Sequence, residues 1–197
     1  MTSLAPRRSP LSRALHRNRS LAYARYFQLA TVRANGAPAN RTVVFRGFSD
    51  RPDLPNALKI ITDRRSEKIP QIDGDQRGEA CWYFPKTREQ FRLTGQLVAV
   101  IAGDPQDLNQ KERRVTWQNL SDSARLQFAW PQPGDRREKD SAPFHPAPPP
   151  PDTPPGTFGL LYLIPTQVDW LNLRGDPQDR IVYRQNDNTW EERPVNP

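Results

Sequence analysis

The chain has 197 residues, a formal charge of +7 and a pI near 10, with 35% hydrophobic residues and 22 prolines, so it fits one domain of ordinary size. A single cysteine, Cys81, excludes an intramolecular disulfide and a cysteine-rich zinc site. Two histidines, His16 and His145, are too few for a metal cluster or a Ser-His-Asp relay, so no metal is expected.

Residues 1 to 49 contain nine arginines and no aspartate or glutamate, the first acid being Asp50. A nucleic-acid arm or a removable presequence would share that composition. The segment SLAYARYFQLATV, however, runs on into strand pattern without a break, which predicts a first helix belonging to the fold and no nucleic-acid partner. Two strand runs, 27–33 and 41–48, flank Asn35-Gly36, a hairpin signal. A third strand lies in ALKIITD. It ends in TDRRSEK, residues 62–68, and a short helix follows there, with Asp63 or Ser66 as its N-cap and Pro70 keeping it brief. EACWYF and EQFRLTGQLVAVIAG read as two further strands. Beyond them Asp104 and Pro105 signal a helix start, Ser121 signals a second, and a break falls near Asn119.

Ten of the 22 prolines lie between Pro131 and Pro155, which predicts an extended or disordered surface loop over about 133–156. TFGLLYLIPTQVDWLNL and DRIVYRQNDNTWEERPV return to strand pattern, the latter as a hairpin turning at NDN. No apolar run approaches the length of a membrane span, and a soluble, cytoplasmic protein is expected. Strands, then helices, then strands predict an α+β chain on an antiparallel, Greek-key-like barrel with flanking helices.

Several polar residues stand at strand ends. Arg41 and Arg46 bracket TVVF, Thr62 and Lys68 close the third strand, Gln90 opens the fifth and Arg180 opens the last hairpin. Regular pairing would send Arg41 and Arg46 to opposite faces. Each residue alone is most simply a solvated charge.

The order RTVVFRGF, ITDRRSEK, REQFRLTG, then DW with an arginine ten residues later, resembles the cofactor-binding framework of the pyridoxamine 5'-phosphate oxidase-like family. The fold of that family is the FMN-binding split barrel. The resemblance spans roughly residues 22–194 apart from the proline tract, and is closest to a branch carrying HRNRSLAYARYFQLATV and QFAWPQPG. It implies FMN as cofactor, held at the interface of a homodimer that acts on a small molecule. Arg41, Thr42, Val43, Val44 and Arg46 would lie along the flavin. Thr62, Ser66 and Lys68 would meet its phosphate. Glu67 stands where the family often has an arginine, and Arg65 is the substitute the sequence offers. Gln90, Gln132, Trp170 and Arg180 would complete the site.

True pyridoxamine phosphate oxidases carry an arginine and a histidine for their substrate where this chain has Asp176 and Gln178, with Arg174 nearby. Trp117 and Arg125 either pack the helices on the barrel or, with Arg46 and Arg174, line a substrate pocket. Three readings stand: an FMN-dependent oxidoreductase of unassigned substrate, a true oxidase making pyridoxal 5'-phosphate, and a flavin-binding protein without turnover.

Overall fold

The computed structural model describes residues 8–187 and 189–197. Its helices are α1 (Arg8–Arg17), α2 (Lys68–Gly74), α3 (Asp107–Gln118) and α4 (Asp122–Leu126). Its strands are β1 (Tyr26–Val32), β2 (Pro38–Phe48), β3 (Leu58–Asp63), β4 (Arg77–Phe84), β5 (Glu89–Val100), β6 (Phe158–Asn172), β7 (Asp179–Asn186) and β8 (Thr189–Val195). All eight strands pair antiparallel in the order β3-β2-β1-β4-β5-β6-β7-β8, and a further β3 to β6 pairing closes the first six into a barrel. The β7–β8 hairpin extends the sheet beyond the closure. Asp187 at its turn has φ +51°, and Asn188 lies outside the described residues.

The alternation along β1, β4 and β5 sends Phe27, Trp82, Phe84 and Phe91 inward, where Trp82 meets Phe27, Phe45 and Phe84, and Phe84 meets Phe91, at centroid distances of 5.0–5.8 Å. Trp82 donates its indole N–H to the Ala24 carbonyl at 3.0 Å, so the largest side chain of this core carries no unsatisfied donor. α1 buries Leu11 and Ala14 against the same core, as expected for a helix that belongs to the fold, while residues 1–7 lie outside the described residues. β6 does not alternate because both its faces are covered. Leu161 and Leu163 enter the barrel, while Phe158, Leu160 and Tyr162 join Trp117 and Phe128 in a second core under α3.

The chain passes from β3 to β4, opposite strands of the barrel, through α2, which buries Ile69 and Ile72 across one barrel end. Pro70 sits in its first turn, where no helical N–H is lost. Neither Asp63 nor Ser66 caps this helix. Glu67 occupies the N-cap position without a side-chain bond, because Asp63 is engaged by Arg65 and Ser66 by Lys68. α3 likewise starts later than its signals suggest. Asp104 accepts from the Gln106 amide (2.9 Å) and from Asn109 Nδ2 (3.0 Å), closing a turn ahead of the helix, and Gln106 takes the N-cap. Ser121 caps α4 as expected.

The proline tract is exposed over most of its length but tied down through carbonyls, which prolines retain. Trp117 donates to Pro150 (2.8 Å), Arg113 to Pro155 (2.6 Å) and Trp130 to Phe144 (3.0 Å). β5 and β6 slip register at Gly95, where an added Cβ would lie 2.0 Å from the Ile164 carbonyl oxygen. Gly95→Ala is expected to destabilise the chain by about 1–3 kcal/mol in a urea titration, since a backbone atom, not a flexible side chain, must give way.

Candidate cofactor site

On β2, Val43 and Phe45 point into the core, and Arg41 shares their side at the barrel end that α2 covers. Its guanidinium donates from Nη1 to the Leu29 carbonyl (3.1 Å) and Thr31 Oγ1 (2.7 Å), and from Nη2 to Gln71 Oε1 (3.0 Å). Thr62, buried at the end of β3, and Ser66 both accept from Lys68 Nζ, at 3.2 and 2.8 Å. Every one of these acceptors is neutral.

That distinguishes the two cations from three other candidate or neighbouring arginines. Arg65 is held by Asp63, Arg92 by Glu79 and Arg180 by Asp169, each a carboxylate. Burial, and next the Arg33 charge, pull the Arg41 guanidinium below its usual range, with Glu67 opposing. Burial and then Arg41 itself pull the Lys68 ammonium down, with Asp63 opposing. Two half-buried cations that repel one another and hydrogen-bond no carboxylate among the described residues form the donor set a phosphate dianion satisfies, together with two hydroxyls. The residues therefore fit the phosphate end of FMN.

Arg46 falls on the opposite face from Arg41, as strand alternation requires, in company with Thr42 and Val44. Val43 belongs to the core and offers only its backbone to a ligand. The Nε of Arg46 is buried without a hydrogen-bond partner among the described residues. Burial, and next Arg25, lower its pKa. Tyr26 and Tyr83, on the outer face of the neighbouring strands, stay about half exposed at 48% and 46%.

Gln90, Leu171 and Arg180 form one cross-strand row on β5, β6 and β7. Arg180 donates Nε and Nη2 to Asp169 at 3.0 and 2.8 Å, Trp170 donates its indole N–H to Glu89 (3.0 Å), and the Cys81 thiol reaches Gln90 Oε1 at 3.8 Å. Trp170 and Arg180, at the far end of β6 and on β7, are remote from Thr62 and Lys68. Thr62 pairs with Gly159, and Trp170 lies eleven residues further along β6, on the order of 30 Å at the usual strand rise.

The remaining candidates fall elsewhere. Gln132 Nε2 donates to the Arg65 carbonyl (3.4 Å) and Arg65 Nη1 to the Trp130 carbonyl (3.0 Å), so the QFAWPQPG segment is docked beside TDRRSEK. Trp117 is fully buried between Phe128 and Phe158 and offers no surface to a pocket, so packing, not substrate contact, is its place in the chain. Arg125 is buried too, its terminal nitrogens engaged by the Leu120 carbonyl (2.5 Å) and by Asp122, while its Nε, like that of Arg46, has no partner among the described residues. Arg174 is exposed and donates to the Lys86 carbonyl (2.5 Å) in the β4–β5 turn. Three residues that sequence reading passed over organise the candidates. Thr31 and Gln71 hold Arg41, and Asp169, written in the DW motif, holds Arg180.

A closed six-stranded antiparallel barrel with flanking helices is the split-barrel fold. The sequence pattern of the pyridoxamine 5'-phosphate oxidase, FMN-binding domain, matches residues 4–101. An Arabidopsis thaliana protein named pyridoxine/pyridoxamine 5'-phosphate oxidase 2 is 34% identical over all of this chain and 99% of its own length. A pyridoxamine 5'-phosphate oxidase-related, FMN-binding protein of Nostoc punctiforme is 54% identical, with a TM-score of 0.94 over 99% of this chain and 100% of that one. PhzG of Burkholderia lata, solved with tetrahydrophenazine-1-carboxylic acid, shares the fold at 18% identity, with a TM-score of 0.72 over 99% and 98% of the two chains. The chain belongs to the pyridoxamine 5'-phosphate oxidase-related family of FMN-binding split barrels.

Proposed function

We propose that this chain binds FMN through its phosphate at Arg41, Thr62, Ser66 and Lys68, and works as an FMN-dependent oxidoreductase on a small molecule. The observation that carries the reading is the pair Arg41 and Lys68, half-buried and hydrogen-bonded only to neutral groups. FMN would supply the redox chemistry, taking electrons from a donor and passing them on. The protein's part is to hold the phosphate, orient the ring and shape a dry pocket. Arg46, with its buried unpartnered Nε, supplies a donor for the flavin or for a substrate beside it.

The separation along β6 argues for a homodimer. One FMN cannot reach from Thr62 to Trp170 and Arg180 of the same chain, so those residues join the phosphate site only if a second copy brings them. The outer face carrying Arg46, Tyr26 and Tyr83 is the surface offered for that pairing. Mixing Lys68→Ala with Arg180→Ala chains tests the arrangement. Each variant alone binds FMN weakly, and the mixture recovers wild-type affinity in the fraction of sites built from two intact halves. No recovery would contradict a shared site.

A second reading, oxidation of pyridoxine or pyridoxamine 5'-phosphate, is favoured by the full-length match to the Arabidopsis protein of that name. Asp176 opposes it, because an exposed carboxylate in place of a cation repels a phosphorylated substrate. Arg174 is engaged by the Lys86 carbonyl. Peroxide release from the FMN-loaded protein with each vitamer decides the matter. Turnover with either establishes the second reading, reduction by other donors alone supports the first, and bound FMN that no donor reduces would contradict both and leave a flavin-binding protein without turnover.

A further inference from the structure

We infer that Gln71 is a positioning residue, which aims Arg41 at the ligand phosphate while leaving its positive charge unspent. The inference rests on the FMN reading above. Lys68 and Gln71 are three residues apart in α2, so one helical face carries both. Lys68 turns to Thr62 and Ser66, and Gln71 turns to Thr31 and Arg41.

The amide orientation is fixed by its neighbours. Thr31 Oγ1 accepts from Arg41 Nη1 and has two acceptors for its own proton, of which Gln71 Oε1, at 2.6 Å, is far nearer than the Ala39 carbonyl at 3.5 Å. Arg41 Nη2 donates to the same oxygen at 3.0 Å. Two donors converge on one acceptor, and only the carbonyl oxygen of the amide can serve. With the Leu29 carbonyl, this clamps both terminal nitrogens of the guanidinium and leaves its remaining N–H groups for a ligand.

The acceptor's neutrality is the second part of the inference. A glutamate of the same length would hold Arg41 as firmly, as Asp63 holds Arg65 and Asp169 holds Arg180. It would also neutralise the guanidinium and repel a phosphate. An amide fixes the geometry without that competing charge.

The test compares FMN with riboflavin, which has the same ring and no phosphate, by fluorescence titration of the wild-type chain, Gln71→Glu and Gln71→Leu. Gln71→Glu is expected to weaken FMN binding at least about tenfold while leaving riboflavin binding unchanged, with partial recovery as pH falls and the new carboxylate takes up a proton. Gln71→Leu, which adds no charge, should lose severalfold in FMN affinity alone. Both variants keeping the wild-type preference for FMN over riboflavin would overturn the inference. Equal losses for the two ligands would overturn it as well, since they mark a structural defect. A wild-type chain that does not prefer FMN would instead overturn the phosphate assignment itself, and this inference with it.

Discussion

Lys68→Ala and Arg41→Ala are each expected to weaken FMN binding by about 1.5–3 kcal/mol, roughly 10- to 150-fold, the range for a hydrogen bond to a charged group. Neither side chain is part of a carboxylate pair, so no buried anion is orphaned by its removal, and the loss falls on the ligand. Isothermal titration of the apo-protein measures it. The lowered pKa of Lys68 adds a pH signature. The FMN phosphate is a dianion above about pH 6, so raising pH through the Lys68 pKa removes one positive charge and binding weakens. Lys68→Arg keeps its charge and should flatten that decline. In the apo-protein the sign is opposite. The folded chain gives up the Lys68 proton more readily than the unfolded chain, so this group's contribution to stability rises as pH climbs from its folded pKa toward the ordinary lysine value. FMN affinity unchanged in both alanine variants would refute the phosphate site.

Glu112→Ala should have the largest effect on the fold itself, about 3–5 kcal/mol in denaturant unfolding, because it strands a buried cation. Glu112 on α3 lies 3.0 Å from Lys59 Nζ, with the two side chains only 7% and 9% exposed. The same carboxylate accepts from Tyr162 (2.6 Å), Ser49 (3.1 Å) and the Asp50 amide (3.2 Å), so one residue fastens α3 to β3, β6 and the β2–β3 loop. Asp50, 2.9 Å from Lys59 but 85% exposed, offsets part of the loss and sets the outcome toward the lower end of the range. Burial and the Glu112 bond hold the Tyr162 phenol above its usual range. Its contribution is therefore intact below about pH 10 and is lost as pH rises beyond that, where the unfolded chain releases the phenolic proton first. A Glu112→Ala chain as stable as wild type would show that the network carries no net stabilisation.

The parts of this account that were legible in the sequence are those with a local signature. Asn35-Gly36 marks the β1–β2 hairpin because Gly36 takes φ +80°. Alternation in EACWYF separates Trp82 and Phe84 from Cys81 and Tyr83. Thr62, Ser66 and Lys68 were legible together in TDRRSEK because all three fall within seven residues, whereas Arg41 lies on another strand. What stayed hidden depends on contacts distant in the chain. Gln71 is one glutamine in a seven-residue helix, and only the closed barrel brings it to Arg41, thirty positions earlier. Trp117 could be read as pocket or packing until Phe128 and Phe158 closed around it. The proline tract reads as an extended or disordered surface loop, since prolines lack amide donors, and what no local pattern announces is that its carbonyls are anchored by donors from α3 and from Trp130. The pairing of Arg180 with Asp169 arises from register across β6 and β7, eleven positions apart.

The central claim, that this chain holds FMN, is tested most directly by the visible absorption spectrum of the purified protein after incubation with FMN and removal of the free cofactor. A flavin spectrum retained in equimolar amount with the chain, and diminished in Arg41→Ala and Lys68→Ala, is the expected result. A wild-type protein that emerges colourless, with free FMN recovered in full, would contradict it.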